Sequence, residues 1–433
     1  MPAPFNIGRP TWEPAPGFDI RRHILRMTVP KPVSEQRLME LAAELYSGRL
    51  DRSKPLWEMH LVEVEGGRSA VVTKIHHCLV DGVGGVELAM VMLDVSPDPP
   101  PTPPPPLMPD AGSIPGGASL FFDGLFDGMR EAVDRWEGMQ RAAVGAVMRG
   151  DLSLLRAIVR ALAVAIRYFA IPVRRAGFNH PLSPARRLAG TAFPFEEFRQ
   201  IRKSCGGGTV NDVALAVLGG ALGPYQKEHG EPVDGREMRV LTPVNVRREN
   251  DHGKLGNRMS MLLVEVPLGV RDPVERLAII RKRTEKLKRD RVADGIDAVG
   301  DAVLRMPAPL IAAVAALGPP PNTLANLVFS NVPGPMIPLY TVGHRMLAHY
   351  VLAPLTWGMG LGCVVISYDK SLFFTLQSDP EAAPDLDRLR ELLEQSYFEL
   401  KAAAAERVAL PSTAAGVPAP ERRTAAEERG AVA

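Results

Sequence analysis

Nine of the fifteen residues from Ser96 to Asp110, "SPDPPPTPPPPLMPD", are proline. Proline lacks the backbone N–H, so this run can be neither helix nor central strand; it reads as a stiff, extended connector over the surface. Regular structure must therefore be assembled before it and after it. The chain has 433 residues, more than one compact core usually holds, so two domains or two related halves are expected. Its 46% hydrophobic and 23% charged residues suit a soluble globular protein with a large core.

Ahead of the prolines, "FDIRRHILRMTVP" alternates as a strand should. "VSEQRLMELAAELYSGRL" has helical spacing, with Leu38, Leu41, Leu45 and Tyr46 on one face. "LDRSKPLWEMHLVEVEGGRSAVVTKIHH" reads as two strands joined at Gly66-Gly67, and "VELAMVMLDV" as a helix. Residues 119–175 read as long helices. Arg149, Arg156, Arg160, Arg167 and Arg174, spaced seven, four, seven and seven apart, share one helical face. Two readings stand for that stripe: a solvated face on a core-packed helix, or a basic surface that docks on anionic lipid. The first half is placed at residues 1–187.

The second half, residues 188–410, reads as a helix at "VNDVALAVLGGALGPYQKEHG", strands at "REMRVLTPVNVRR" and "NRMSMLLVEVPLG", and a charged helix at "DPVERLAIIRKRTEKLKRDR". A strand at "NTLANLVFSNVPGP", a hairpin at "CVVISYDKSLFFTLQSD" and an amphipathic helix at "LDRLRELLEQSYFELKAAAAE" follow. Residues 411–433, rich in alanine, proline and charge, read as a disordered tail. Strands and helices mix without a strict βαβ rhythm, which indicates an α/β or α+β fold of layered halves. "GVGGVE" lacks GxGxxG spacing, so no dinucleotide fold is expected.

Net charge is +2, which gives no argument for a nucleic-acid partner. Cys78, Cys205 and Cys363 are far apart and offer neither a disulfide framework nor zinc spacing; they fit a reducing cytoplasm. "MPAPFNIGRPTWEP" is not a signal peptide, and no apolar run approaches the length of a membrane span.

Chemistry concentrates in "KIHHCLVDGVGG", Lys74 to Gly85. His76 and His77 end an apolar strand whose alternation lets only one of them face a cavity; His77 is assigned to the cavity and His76 to packing behind it. Asp81 and Gly82 then turn the chain into a helix, with Asp81 bracing the turn or the ring. A packed histidine pair is the bland alternative. Metal binding is disfavoured because neighbouring strand histidines diverge and no third ligand stands at metal spacing. General-base catalysis by His77 is the favoured reading. Cys78 has no separate base and orienting group, so it is not expected to be a nucleophile.

"HHCLVDG" matches the HHxxxDG motif and so resembles the chloramphenicol-acetyltransferase-like superfamily of CoA-dependent acyltransferases. "LDRSKPLWE", "NDVALA", "LTPVNVR", "KLGNRMS" and "SNVPGP" occur in order across nearly the whole chain. Together they resemble the bacterial bifunctional wax ester synthase/diacylglycerol acyltransferase family. That resemblance implies two chloramphenicol-acetyltransferase-like halves, each a mixed sheet with helices, around an active-site tunnel. Long-chain acyl-CoA would enter as co-substrate, with no permanently bound cofactor and no metal, and diacylglycerol or a fatty alcohol would be the acceptor. It also implies a cytoplasmic protein held peripherally at a membrane or lipid inclusion, and an edge element of the first half that is truncated or missing here.

Asn211 is the candidate oxyanion donor, with a helix N-cap as its other reading; Asp212 is expected to brace that helix start. Ser330 and Asn331 are expected to line the tunnel, Pro55-Leu56-Trp57 to pack, and Asp81 to pair with Arg247 or Arg258. "His76…Asp81" also spells HxxxxD, the signature of glycerophospholipid acyltransferases, but their phosphate-binding block and membrane segments are not found. A catalytically silent, condensation-like protein that binds a lipid or a carrier is the reading from a different class.

Overall fold

The computed structural model describes residues 15, 17–29, 31–80, 82–101, isolated positions between 122 and 166, 173–245, 259–296, 324–355 and 358–409. Asp81, Arg247, Arg258, the proline run beyond Pro101, the arginine face from Arg149 to Arg167 and the 411–433 tail lie outside the described residues.

A short 3-10 turn at Ile20–Arg22 interrupts the first expected strand, leaving β1 as Ile24–Arg26. The Asp19 carboxylate accepts from the Arg21 N–H and side chain, which closes that turn in place of a strand start. Helix α1, Glu35–Ser47, is capped by Ser34, whose hydroxyl accepts from the Arg37 N–H. Strands β2, Trp57–Val64, and β3, Arg68–Ile75, pair antiparallel, and β1 pairs parallel with β2. In β2, buried His60, Val62 and Val64 alternate with exposed Leu61 and Glu63. Val62 and Val64 pack with Leu38 and Leu41 of α1, while Ile24, Leu61 and Val71 leave an apolar opposite face. Lys74 ties β3 to the end of α1 by donating to the carbonyls of Leu45 (2.8 Å) and Gly48, where a cation also complements the helix dipole. Helix α2, Gly82–Met92, follows and begins four residues before the expected Val86.

The larger sheet is mixed. Its strands are β4 (Arg187–Pro194), β5 (Glu237–Asn245), β6 (Met259–Pro267), β7 (Leu327–Val332), β10 (Leu361–Tyr368) and β11 (Ser371–Ser378), in spatial order β4-β11-β10-β7-β5-β6. Between β7 and β10 lie the short strands β8 (Tyr340–Thr341) and β9 (His344–Arg345). Helices α3 (Phe195–Ser204), α4 (Val210–Glu228), α5 (Pro273–Arg289) and α6 (Leu386–Ala409) contribute, with the sheet, to one core. Strand β10 is buried along its whole length, as a run that is apolar but for Ser367 requires of a strand covered on both faces. A second cluster covers the other side: Val332, Ile366, Tyr368 and Phe373 meet Val86 of α2 and Leu93 just beyond its end. The segment after α2 also bridges to β8, Asp94 exchanging two 2.8 Å backbone bonds with Tyr340. The two sequence halves are thus stitched together through α2.

One helical expectation needs correction. Residues 173–176 are not helical. There the Arg174 carbonyl accepts from Asn326 Nδ2 (3.0 Å) and the Ala176 N–H donates to Asn179 Oδ1 (3.0 Å), so a buried pair of asparagines holds the backbone that a helix would otherwise claim. Ala176 and Phe178 join the larger core.

The "SNVPGP" turn after β7 depends on close approach. Gly334 donates to Ser367 Oγ (2.9 Å), and a Cβ placed on it would lie 2.2 Å from the Ser367 carbonyl oxygen. Gly334→Ala must push the end of β7 away from β10. It should cost about 1–3 kcal/mol, as overpacking of a tight site does; an unchanged unfolding midpoint would refute this account.

Candidate active site

β3 ends at Ile75, so strand alternation no longer governs the two histidines that follow. His76 to Leu79 form a turn, with the Leu79 N–H donating to the His76 carbonyl at 2.9 Å. The expectation that one histidine packs behind the other does not hold: both rings are exposed and both border one cleft. They nevertheless differ. His76 Nδ1 accepts from the Cys78 N–H (3.2 Å), which occupies that nitrogen in shaping the turn. His77 makes no hydrogen bond among the described residues, and it borders the cleft. Cys78 is exposed but does not border the cleft. Gly82 lets the start of α2 approach β7 closely, since a Cβ there would stand 3.2 Å from Val332 Cγ2.

The cleft has a volume of about 2780 Å³ and is walled by both sequence halves. His76, His77 and Gly82 come from one side; Ser330, Asn331 and Val332 of β7 come from the other. Ile24, Met59, Leu61 and Val71 add an apolar wall from the small sheet. Arg49, Arg52, Arg186 and Arg187 also line it. Tyr46 borders the cleft as well, and burial pushes its phenol up to about 12, so it stays a neutral donor. Trp57 packs as expected: its ring stacks on His23 (centroids 4.5 Å apart) while its carbonyl lies 2.7 Å from His23 Nδ1.

Asn211 and Asp212 are not brought to the cleft. The N-cap of α4 is Thr209, not Asn211, and Asp212 closes a capping box with it. Asp212 is buried, accepting from the Thr209 N–H (2.7 Å) and from Thr284 Oγ1 of α5 (2.7 Å). The position assigned to oxyanion binding is therefore a helix start inside the larger lobe.

Sequence reading missed His349. It lies in an irregular segment between β9 and β10, lines the cleft, and stacks edge-on against Tyr368 (6.3 Å, 83°). Burial holds its imidazole below the ordinary histidine value. A lone histidine in "MLAHYVLAP" carries no periodic or motif signal, so only the tertiary structure reveals it. Among the described residues, no three His, Cys, Asp or Glu side chains converge as a metal site, and no helix is long and apolar enough to cross a membrane.

Two family descriptions match the chain: the wax ester synthase/diacylglycerol acyltransferase catalytic domain over residues 1–214, and the WS/DGAT C-terminal domain over residues 255–401. A probable diacylglycerol O-acyltransferase of Mycobacterium tuberculosis is 29% identical over 408 residues, spanning 92% of this chain and 83% of that protein. A second from the same organism is 30% identical over 422 residues, spanning 92% and 85%. The solved wax ester synthase/diacylglycerol acyltransferase of Marinobacter aquaeolei VT8 superposes with a TM-score of 0.62 at 24% identity, spanning 93% of this chain and 86% of that one, a likeness of fold.

Proposed function

Since this chain belongs to the wax ester synthase/diacylglycerol acyltransferase family of acyltransferases, we propose that it moves a long-chain acyl group from acyl-CoA to an alcohol. Diacylglycerol would give triacylglycerol; a fatty alcohol would give a wax ester. One observation carries this reading: His77, whose imidazole makes no hydrogen bond among the described residues, stands at a large cleft with an extensive apolar wall that Cys78 does not border.

His77 accepts the proton of the acceptor hydroxyl as its oxygen attacks the thioester carbonyl carbon. The tetrahedral intermediate then collapses, the C–S bond breaks, and the imidazolium returns its proton to the departing thiolate. Ester and free CoA thiol result, with no acyl-enzyme. A thioester needs no prior activation, because a thiol with a pKa of about 8.5 leaves easily. Arg49 and Arg52, exposed at the cleft, suit the phosphates of CoA. Ser330 and Asn331 offer polar contacts to substrate. Gly82 lets α2 start close against β7, shortly after the turn that holds His77. Val91 (84% exposed), Val342 (89%) and Leu347 (64%) lie on elements joined at the Asp94–Tyr340 bridge, and they suit peripheral contact with a lipid surface from which the acceptor is drawn.

Release of free thiol from a long-chain acyl-CoA, measured with and without diacylglycerol or hexadecanol, tests the reading and ranks the acceptors. Direct transfer requires both substrates to be bound together. Double-reciprocal plots should then intersect, Cys78→Ala should keep its activity, and intact mass after mixing with acyl-CoA alone should show no added acyl group. Parallel lines with a kinetically competent acyl-enzyme would overturn direct transfer.

A further inference from the structure

The segment that carries His349 is fixed on several sides. Tyr368 Oη accepts from the Leu339 N–H (3.0 Å) and donates to the Met346 carbonyl (2.8 Å). Tyr350 packs edge-on against Phe373 (5.3 Å). Met346, Tyr350 and Val351 pack in the cluster that holds Val86 of α2, one turn into the helix that follows the His77 turn. His349 is therefore anchored in the wall of the cleft that His77 also borders.

Its Nδ1 is sealed from solvent and has no hydrogen-bond partner among the described residues. A buried N–H without an acceptor is among the rarest and costliest arrangements in a folded protein, whereas an under-used lone pair is tolerated more often. Nδ1 is thus the unprotonated nitrogen of the neutral ring, and the proton sits on Nε2. Burial disfavours the imidazolium, so this neutral tautomer persists near pH 7. The ring side left to the cleft then offers an N–H and no base, the complement of what His77 supplies.

We infer that His349 is a catalytic residue that donates a hydrogen bond from Nε2 to the thioester carbonyl oxygen as negative charge builds there during attack. This rests on the acyl-transfer reading above and supplies the donor that Asn211, away from the cleft, does not. A neutral donor fixed in a dry wall is effective because it need not reorganise as charge develops.

Two substitutions in the full-length protein test it, read by thiol release from palmitoyl-CoA with diacylglycerol and by thermal unfolding. His349→Leu removes the donor and also the orphaned buried nitrogen. It should lower kcat by about 10²–10³, the range seen for loss of one oxyanion donor, with KM for acyl-CoA unchanged and the unfolding temperature equal or higher. His349→Gln keeps an N–H near the Nε2 position and should recover much of that loss. A His349→Leu protein that turns over like its parent overturns the inference. So does one that loses stability and turnover together without rescue by Gln, which marks a structural ring. A raised acceptor KM at unchanged kcat overturns the carbonyl assignment by placing the donor on the acceptor hydroxyl. A parent protein that releases no thiol with any acceptor defeats the acyl-transfer reading itself, an outcome distinct from all of these.

Discussion

His77→Ala should fold, unfold at a temperature close to the parent's, and lose acyl transfer by about 10²–10⁴, the usual contribution of a general base. The ring is exposed at the cleft and makes no hydrogen bond among the described residues. Its removal orphans no described partner there and should change stability by no more than about 0.5 kcal/mol. His76→Ala is the informative contrast. It leaves the Cys78 N–H without its acceptor, so it should loosen the turn and reduce turnover less than His77→Ala does. Near-parental turnover in a folded His77→Ala protein would sink the general-base mechanism. An indispensable His76 beside a dispensable His77 would exchange their roles.

What sequence disclosed and what it hid follow a physical line. Local signals were readable where a short stretch dictates its own conformation. The hairpin β10–β11 turns on Asp369 and Lys370, whose positive φ angles of 40° and 69° give the two-residue turn suited to twisted strands. The helix at α1 and the strand pair β2–β3 follow their hydrophobic periods. β4 escaped notice because "RLAGTAFP" neither alternates nor runs apolar; it exists because all eight residues pair with β11. The histidine motif borders the cleft, yet the face assignment failed, because the strand stops one residue before the pair and a turn obeys no alternation. His349 lay beyond sequence reading for a related reason: its burial comes from residues, such as Tyr368, that are remote in the chain. A motif names residues that matter without saying why. "HHxxxDG" opens onto the cleft, "SNVPGP" combines cleft residues with a glycine demanded by backbone packing, and "NDV" is a helix start.

That last distinction yields the largest stability effect expected here. Asp212 sits at the third position of α4, where a carboxylate also favours the positive end of the helix dipole. It is 2% exposed and takes hydrogen bonds from the backbone and hydroxyl of Thr209, both at 2.7 Å, and from Thr284 Oγ1 across the α4–α5 contact. Asp212→Ala removes the capping box, worth about 0.5–2 kcal/mol, and strands donors in a buried place at about 1–3 kcal/mol. Thr284 can turn its hydroxyl to the Arg281 carbonyl (3.0 Å), which softens the loss. A combined fall of about 2–4 kcal/mol in unfolding free energy follows from those two terms, a large share of the ~5–15 kcal/mol that holds a typical protein folded. Activity should fall only with the folded fraction, so kcat per folded molecule stays near the parent's. Asn211→Ala, one position earlier and away from the cleft, should leave both kcat and the denaturation midpoint close to the parent. Denaturant titration paired with active-fraction kinetics separates the two positions. Lost turnover in a fully stable Asn211→Ala protein would return the oxyanion role to Asn211, and would require this helix start to reach the cleft in the substrate-bound state.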